Sequence, residues 1–519
     1  MSASSKHRVS KPAAASVFER LARLPGIRSV LALSPARGRL AVLAVAALAT
    51  LGLASLPAVS TQLTSLEERL GSLAWTLAPN TDAEERIVIV AIDEQSLAEV
   101  GPWPWTRDTM AELTRGIDAA GAQLQIHDII YAEPKPGDAQ LGAALASARG
   151  AVIAQVPVLD VNQAPGLAPE TVRSGQMGSP LSGIACSSSA SANTGASAGL
   201  MSSASYLAPH AGFAAITKGH IAPVVNADGS ISRQPAVVCV DGAAYPALAL
   251  SALLEASGTG FDSADPLANN GAQLSGATGL FGPEQRLTLD SYPGLAVPLD
   301  ARGNLRISYS RAPESYLAVS AADVLAGRVD TSLFDNAWVL VGVTAFGVGD
   351  IVPTPYSGVT PGVELQARIL GSILDVAVPY TPTNAGTILG LVGLLFAFAL
   401  LRTAGAVNTR LGALALPVAA ILLPAIALAL HAQLLRSAAI WLGWMLPSLF
   451  ALVASTLLFA LEQARTRSQR DRVFNNLTSY LPSDVAQQIA YSLPSSSINA
   501  QRKEFTLLSA DLRNFSTFG

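Results

Sequence analysis

Seven residues between positions 93 and 350 have the side chains that a small-molecule site would use: Asp93, Trp103, Trp105, Arg107, Asp128, Arg233 and Asp350. Asp93 directly follows the β-branched run RIVIVAI (86–92), and Asp128 comes just after a second strand-like stretch, 123–126. Asp350 follows another such run, 338–343, through a Gly-rich loop. Ligands of open α/β sheets bind beyond the carboxyl ends of strands, so these carboxylates mark a candidate pocket. Arg107 and Arg233 are expected to neutralise them, and Trp103 and Trp105, flanking Pro104, to wall the space. The competing role is structural, with Asp93 capping the next helix and Arg–Asp pairs fixing loops. The region contains no GxSxG, HExxH or Gly-rich phosphate loop, so catalysis is not expected there.

The elements that position these residues alternate between strand and helix. Strands are expected at 86–92, 123–126, 151–156, 305–309 and 338–343, with helices at 107–120, 139–148, 321–325 and 362–374. A turn at Asp228-Gly229 would join strands at 221–225 and 231–240. Strand–helix alternation with continuous apolar strands predicts an α/β domain with a mostly parallel sheet. Residues 161–210 are rich in Ser, Ala and Gly and are expected to be a flexible surface insertion; residues 256–297 are weakly patterned. Cys186 and Cys239 are expected as two inert thiols, with a disulfide as the alternative.

Apolar runs at 40–59, 385–401, 411–430 and 437–461 are long enough for a bilayer core of about 30 Å. In lipid each must be a helix. The first is read as an uncleaved span, a signal peptide being the alternative. Charge divides the chain by region. Residues 1–40 hold eight Lys/Arg against one acid, whereas 59–384 hold 15 against 31. Lys/Arg bias sets topology, which predicts a cytoplasmic basic segment (1–39), an extracytoplasmic domain (60–384) and a cytoplasmic end from 462. His431–Arg436 would be a short outer turn. The helix continuing over 462–480 carries Phe474, Leu477 and Leu481, a stripe suited to homodimer pairing or to lying on the membrane surface. No dense basic stripe marks a nucleic-acid binder.

The outer region resembles the CHASE2 family of extracytoplasmic sensor domains. The resemblance lies in IVIVAIDEQSLAEVGPWPWTR (87–107), GAQLQIHDIIYAEP (121–134), ADGSISRQPAVV (227–238) and YPALAL (245–250). It continues in SAADVLAGRVD (320–330), WVLVGVTAFGVGDIVPTP (338–355) and PGVELQARILGSILD (361–375). It implies signal sensing, with an unknown ligand, ahead of three membrane helices and a cytoplasmic output domain. After the linker region 462–500, EFTLLSADLRNFSTFG (504–519) resembles the opening strand of class III adenylate/guanylate cyclases. YLPSDVAQQIA (480–490) resembles their lead-in. This implies that 501–519 starts a ferredoxin-like cyclase domain, truncated in this chain. By the same resemblance Asp511 and the Leu512 carbonyl would bind metal, and amides near Phe515 and Ser516 would approach nucleotide phosphate. Asn514 and Ser516 stand where that family usually has Gly and Thr. Mg or Mn is expected only with a complete cyclase domain, whose reaction needs two divalent ions; the chain as given should be inactive. The resulting expectation is a bacterial inner-membrane receptor contacting lipid, with a non-enzymatic sensor or scaffold as the alternative.

Overall fold

A computed structural model describes residues 33–159, 172–186, 199–226, 229–258, 271–276, 279–405 and 412–481. The chain forms two compact units, Val42–Thr456 and Met1–Ala41 with Leu457–Gly519.

A parallel sheet organises the larger unit. Its strands are β1 (Glu84–Ile92), β2 (Leu124–His127), β3 (Ala151–Pro157), β4 (Thr217–His220), β5 (Tyr316–Ser320) and β6 (Trp338–Val343). Their spatial order is β5-β1-β6-β2-β3-β4, and every pairing along it is parallel. Alternate residues of β1 face opposite ways. Ile87 and Ile89 join one core with Leu253, Leu365 and Ile369, while Val88, Val90 and Ile92 join another with Met110, Leu113 and Ile117. A strand apolar at every position suits a sheet covered on both faces. Val339 and Val341 of β6 are fully buried, each worth about 1.5–3 kcal/mol.

Local signals close the helices around this sheet. Thr106 caps Arg107–Ala119 by accepting from the Thr109 amide, and Gly121 follows at φ +103°. One strand lacks an apolar signature. β4 reads Thr-Lys-Gly-His, yet all four residues are buried because β3 pairs with it and the helix Leu248–Ala256 covers it.

In the described parts of 161–210, Tyr206–Leu207 pairs with the end of β3, and Met201–Ser203 pairs with Val237–Val240. Backbone ladders hold these segments where side chains offer little core. The expectation of two inert thiols is corrected: Cys186 and Cys239 form a disulfide, with Cα atoms 5.7 Å apart. The stretch 256–297 yields three antiparallel strands, Ala272–Gly276, Gln285–Leu289 and Ala296–Leu299. The turn expected at Asp228 lies outside the described residues, as do Asp511, Leu512, Phe515 and Ser516.

Among the described residues four helices are long and apolar enough to cross a membrane: Pro35–Ser55, Ala385–Gly405, Leu414–Ala438 and Met445–Thr478. The first apolar run breaks at Leu56, and a separate stalk helix, Pro57–Thr76, begins there with Pro57 at its first position. His431–Arg436 is helical rather than an outer turn. Its polar groups find partners without leaving the helix: His431 Nδ1 lies 2.8 Å from the Leu442 carbonyl, and Arg436 donates to the Ala74 carbonyl at 2.7 Å. The connection therefore falls at 439–444.

In the smaller unit, Arg39 Nε donates to Glu462 Oε1 at 2.8 Å, and Arg465 reaches the same carboxylate at 3.4 Å. Arg465 also donates to the Pro35 carbonyl.

Candidate functional site

Five of the seven residues singled out by type and spacing line one cavity of about 460 Å³ beyond β2 and β6: Trp103, Trp105, Arg107, Asp128 and Asp350. Asp128 follows β2 directly, and its amide donates to the Val341 carbonyl of β6. Its Oδ1 is buried and has no hydrogen-bond partner in the protein. Asp350 is exposed at the rim. Both carboxylate residues lie within 4 Å of the point where a Cβ on Gly362 would sit. Trp105 is buried and donates from its indole to the Gly101 carbonyl at 2.9 Å; its ring meets that of Trp103 edge-on at 5.9 Å.

The other two residues act elsewhere. Asp93 caps the helix Glu94–Val100, accepting from the Ser96 amide and the Ser320 hydroxyl at 2.8 Å each. Burial opposes its ionisation, but these hydrogen bonds prevail and hold its carboxyl below the usual range. Arg233 pairs with Glu68 at 3.2 Å and Asp300 at 3.7 Å. The expectation that Arg107 and Arg233 neutralise the pocket carboxylates is therefore corrected. Arg107 is committed to Asp138 at 2.9 Å, to the Glu133 carbonyl, and to the Tyr131 ring 4.5 Å below its guanidinium. Asp138, on the adjacent helix Asp138–Ser147, was the nearer partner.

Burial, with the nearby Asp350 charge, pushes the Asp128 carboxyl up to about 7. The folded protein thus holds a proton that the unfolded chain releases from about pH 4 upward. Stability from this group is full below that pH, falls as pH rises towards 7, and is flat above. Asp128→Asn abolishes the fall. We expect its advantage over wild type in thermal unfolding, in nanodiscs, to grow between pH 4 and 7 and reach about 2 kcal/mol. Each tenfold change in proton affinity is worth ~1.4 kcal/mol, and water at the cavity mouth offsets part of it.

A second cluster, which sequence patterning did not reveal, docks the stalk helix. Glu68 receives both terminal nitrogens of Arg306, at 2.6 and 2.9 Å, in a bidentate pair. The Arg306 guanidinium lies 3.9 Å above the Trp441 ring. Trp75 meets Trp441 at 5.6 Å and Tyr309 at 5.8 Å. Burial opposes ionisation of Glu68, but Arg306 and Arg233 outweigh it and hold the carboxyl below its usual range. Neighbouring Glu67 is pushed up to about 7 by burial and by the Glu68 charge. One signal was available: two adjacent carboxylates on a leucine-bearing helix just beyond an apolar span. Their partners lie too far along the chain for spacing to indicate them.

No group of three or more His, Cys, Asp or Glu is placed to hold a metal ion among the described residues. A sheet domain with a cavity at its strand ends is thus joined to apolar helices of membrane-crossing length. The CHASE2 domain profile matches residues 41–402, and the chain belongs to the CHASE2 domain family. No curated protein and no solved structure matches it. It is a membrane protein with a CHASE2 sensor domain, and its apolar helices contact lipid.

Proposed function

We propose that this protein is a receptor that binds an extracytoplasmic signal in the Asp128–Asp350 cavity and relays it to a class III nucleotide cyclase output. One observation carries the reading. Gly362 and Val363 line the cavity and begin the helix Gly362–Leu374, which leads through 375–384 to the span starting at Ala385. Occupancy of the cavity thus bears on an element tied directly to the membrane. The second route is the stalk helix, docked through Glu68, Arg306 and Trp441. The Cys186–Cys239 bridge suits an oxidising compartment, and the Lys/Arg distribution favours cytoplasmic termini. Pairing of the 462–480 helices in a homodimer would set the angle between output domains. A ligand shifts such an equilibrium only through its differential affinity for the two states.

The cyclase output rests on the resemblance of 480–490 and 504–519, with Asp511 as a metal ligand. The test uses the native protein with a complete cyclase domain, extracted from its own membranes and supplied with Mg or Mn and either ATP or GTP. Cyclic nucleotide should form, and Asp511→Ala should reduce the rate at least about 100-fold, since metal stabilisation of the transition state is worth several kcal/mol. Failure to cyclise either nucleotide would favour a sensor or scaffold acting through partners.

A further inference from the structure

Resting on the reading of the cavity as the signal site, we propose that it takes an organic primary amine, bound as its ammonium between Asp128 and Asp350 against the Trp103 wall. Three features of the cavity select this chemistry.

The first is charge. Two carboxylate residues converge beside Gly362, and the one buried guanidinium lining the cavity is already committed to Asp138 and the Tyr131 ring. The remaining charged residues on the wall, Glu133 and Lys135, are both exposed and of opposite sign, so the wall offers no buried cation to Asp128. The second is an unmet hydrogen bond. Asp128 Oδ1 is buried without a donor, and a buried polar atom left unpaired is costly. An ammonium brings three donors and one positive charge, enough to bridge both carboxylates. The third is the apolar remainder. Trp103, Met110, Ile221, Val343 and Val363 line the same space, and aromatic faces attract cations within about 6 Å. The volume of about 460 Å³ falls within the usual range for small-molecule sites, about 300–1,000 Å³. A bare divalent ion would leave most of that apolar wall unused and would find too few ligands.

The raised proton affinity of Asp128 supplies a linked observable. An arriving ammonium favours the carboxylate, so binding near pH 6 should release a proton from Asp128. Asp350, Arg107, Glu133 and Lys135 are the other charged groups facing this space, and burial with the Asp350 charge brings Asp128 into that pH range.

The experiment uses the full chain in nanodiscs and three probes of one shape: phenethylamine, 2-phenylethanol and phenylacetate. Calorimetry at pH 6 in two buffers of different ionisation enthalpy reads both affinity and proton release. The expected result is saturable binding of phenethylamine alone, with proton release that disappears in Asp128→Asn. Affinity should fall at least tenfold in Asp128→Asn and in Asp350→Asn. Gly362→Ala, whose added methyl has ordinary contact distances and leaves the charges intact, should weaken binding by crowding the ammonium position. Equal binding of amine and alcohol, or amine binding that survives both Asn substitutions, would overturn the ammonium assignment while leaving the cavity as a ligand site. Binding of phenylacetate alone would do the same. If none of the three binds, both the assignment and the cavity reading fail.

Discussion

Glu68→Ala should release the stalk helix from the sensor domain and cost about 3–5 kcal/mol, the usual result of removing one partner from a buried ion pair. The geometry explains why the loss is large. Arg306 is 5% exposed, is held by both oxygens of Glu68, and lies on the face of Trp441. Without Glu68 its charge stays desolvated and unpaired, whereas Arg233 keeps Asp300. Hydrogen exchange in nanodiscs should then show faster exchange along Pro57–Thr76, with the main sheet still protected. A Glu68→Leu, Arg306→Met pair should recover much of the loss, because apolar groups of similar size can replace a buried pair at little cost. Unchanged protection in Glu68→Ala would mean that Trp75 and Arg436 suffice to dock the helix.

Removing the disulfide has a comparable expected effect. Cys186 and Cys239 are separated by 53 positions, and the chain-entropy treatment of a loop that size gives about 4 kcal/mol. Cys239 pairs with Ser202 and Ala244 in a small three-stranded sheet, while Leu181 bridges to Ala244 close by. The bridge thus pins a Ser-rich stretch with few apolar side chains of its own. Cys186→Ser/Cys239→Ser should lower the thermal midpoint by several degrees or more, and dithiothreitol should reproduce the drop in wild type but not in the variant. A midpoint insensitive to both treatments would show that the strand pairing alone holds this segment.

The main sheet was legible in sequence wherever strands are buried on both faces. Continuous β-branched runs mark β1 and β6, and the helix over 362–374 has one apolar face. β4 was not legible, since a strand of Thr, Lys, Gly and His is buried by its neighbours rather than by its own hydrophobicity. The pocket residues were found because strand ends are where loops converge, so Asp128, Asp350, Trp103, Trp105 and Arg107 met as placement suggested. The pairing among them was not legible. Arg107 found Asp138 on the neighbouring helix, and Arg233 found Glu68, because ion pairs follow proximity in space, which residue type does not encode. For the same reason the Glu68–Arg306–Trp441 cluster was missed: it joins a helix after the first span, a strand residue of the sensor, and the connection between the last two spans.

That cluster bears on how such receptors can be taken apart and recombined. A cut at 60 and 384 keeps Glu68 with Arg306 but parts Arg306 and Trp75 from the Trp441 ring, and the Ala74 carbonyl from Arg436. The CHASE2 match itself begins at 41 and ends at 402, inside apolar helices rather than between them. A chimera that exchanges only 60–384 would set foreign side chains in place of Arg306 and Trp75 against the original Trp441. Exchange of 42–456 as a block keeps every one of these contacts within a single parent. The exchangeable part of this protein is therefore the sensor together with its membrane helices, and a working graft should be joined on the far side of the bilayer, along the helix that ends at Thr478.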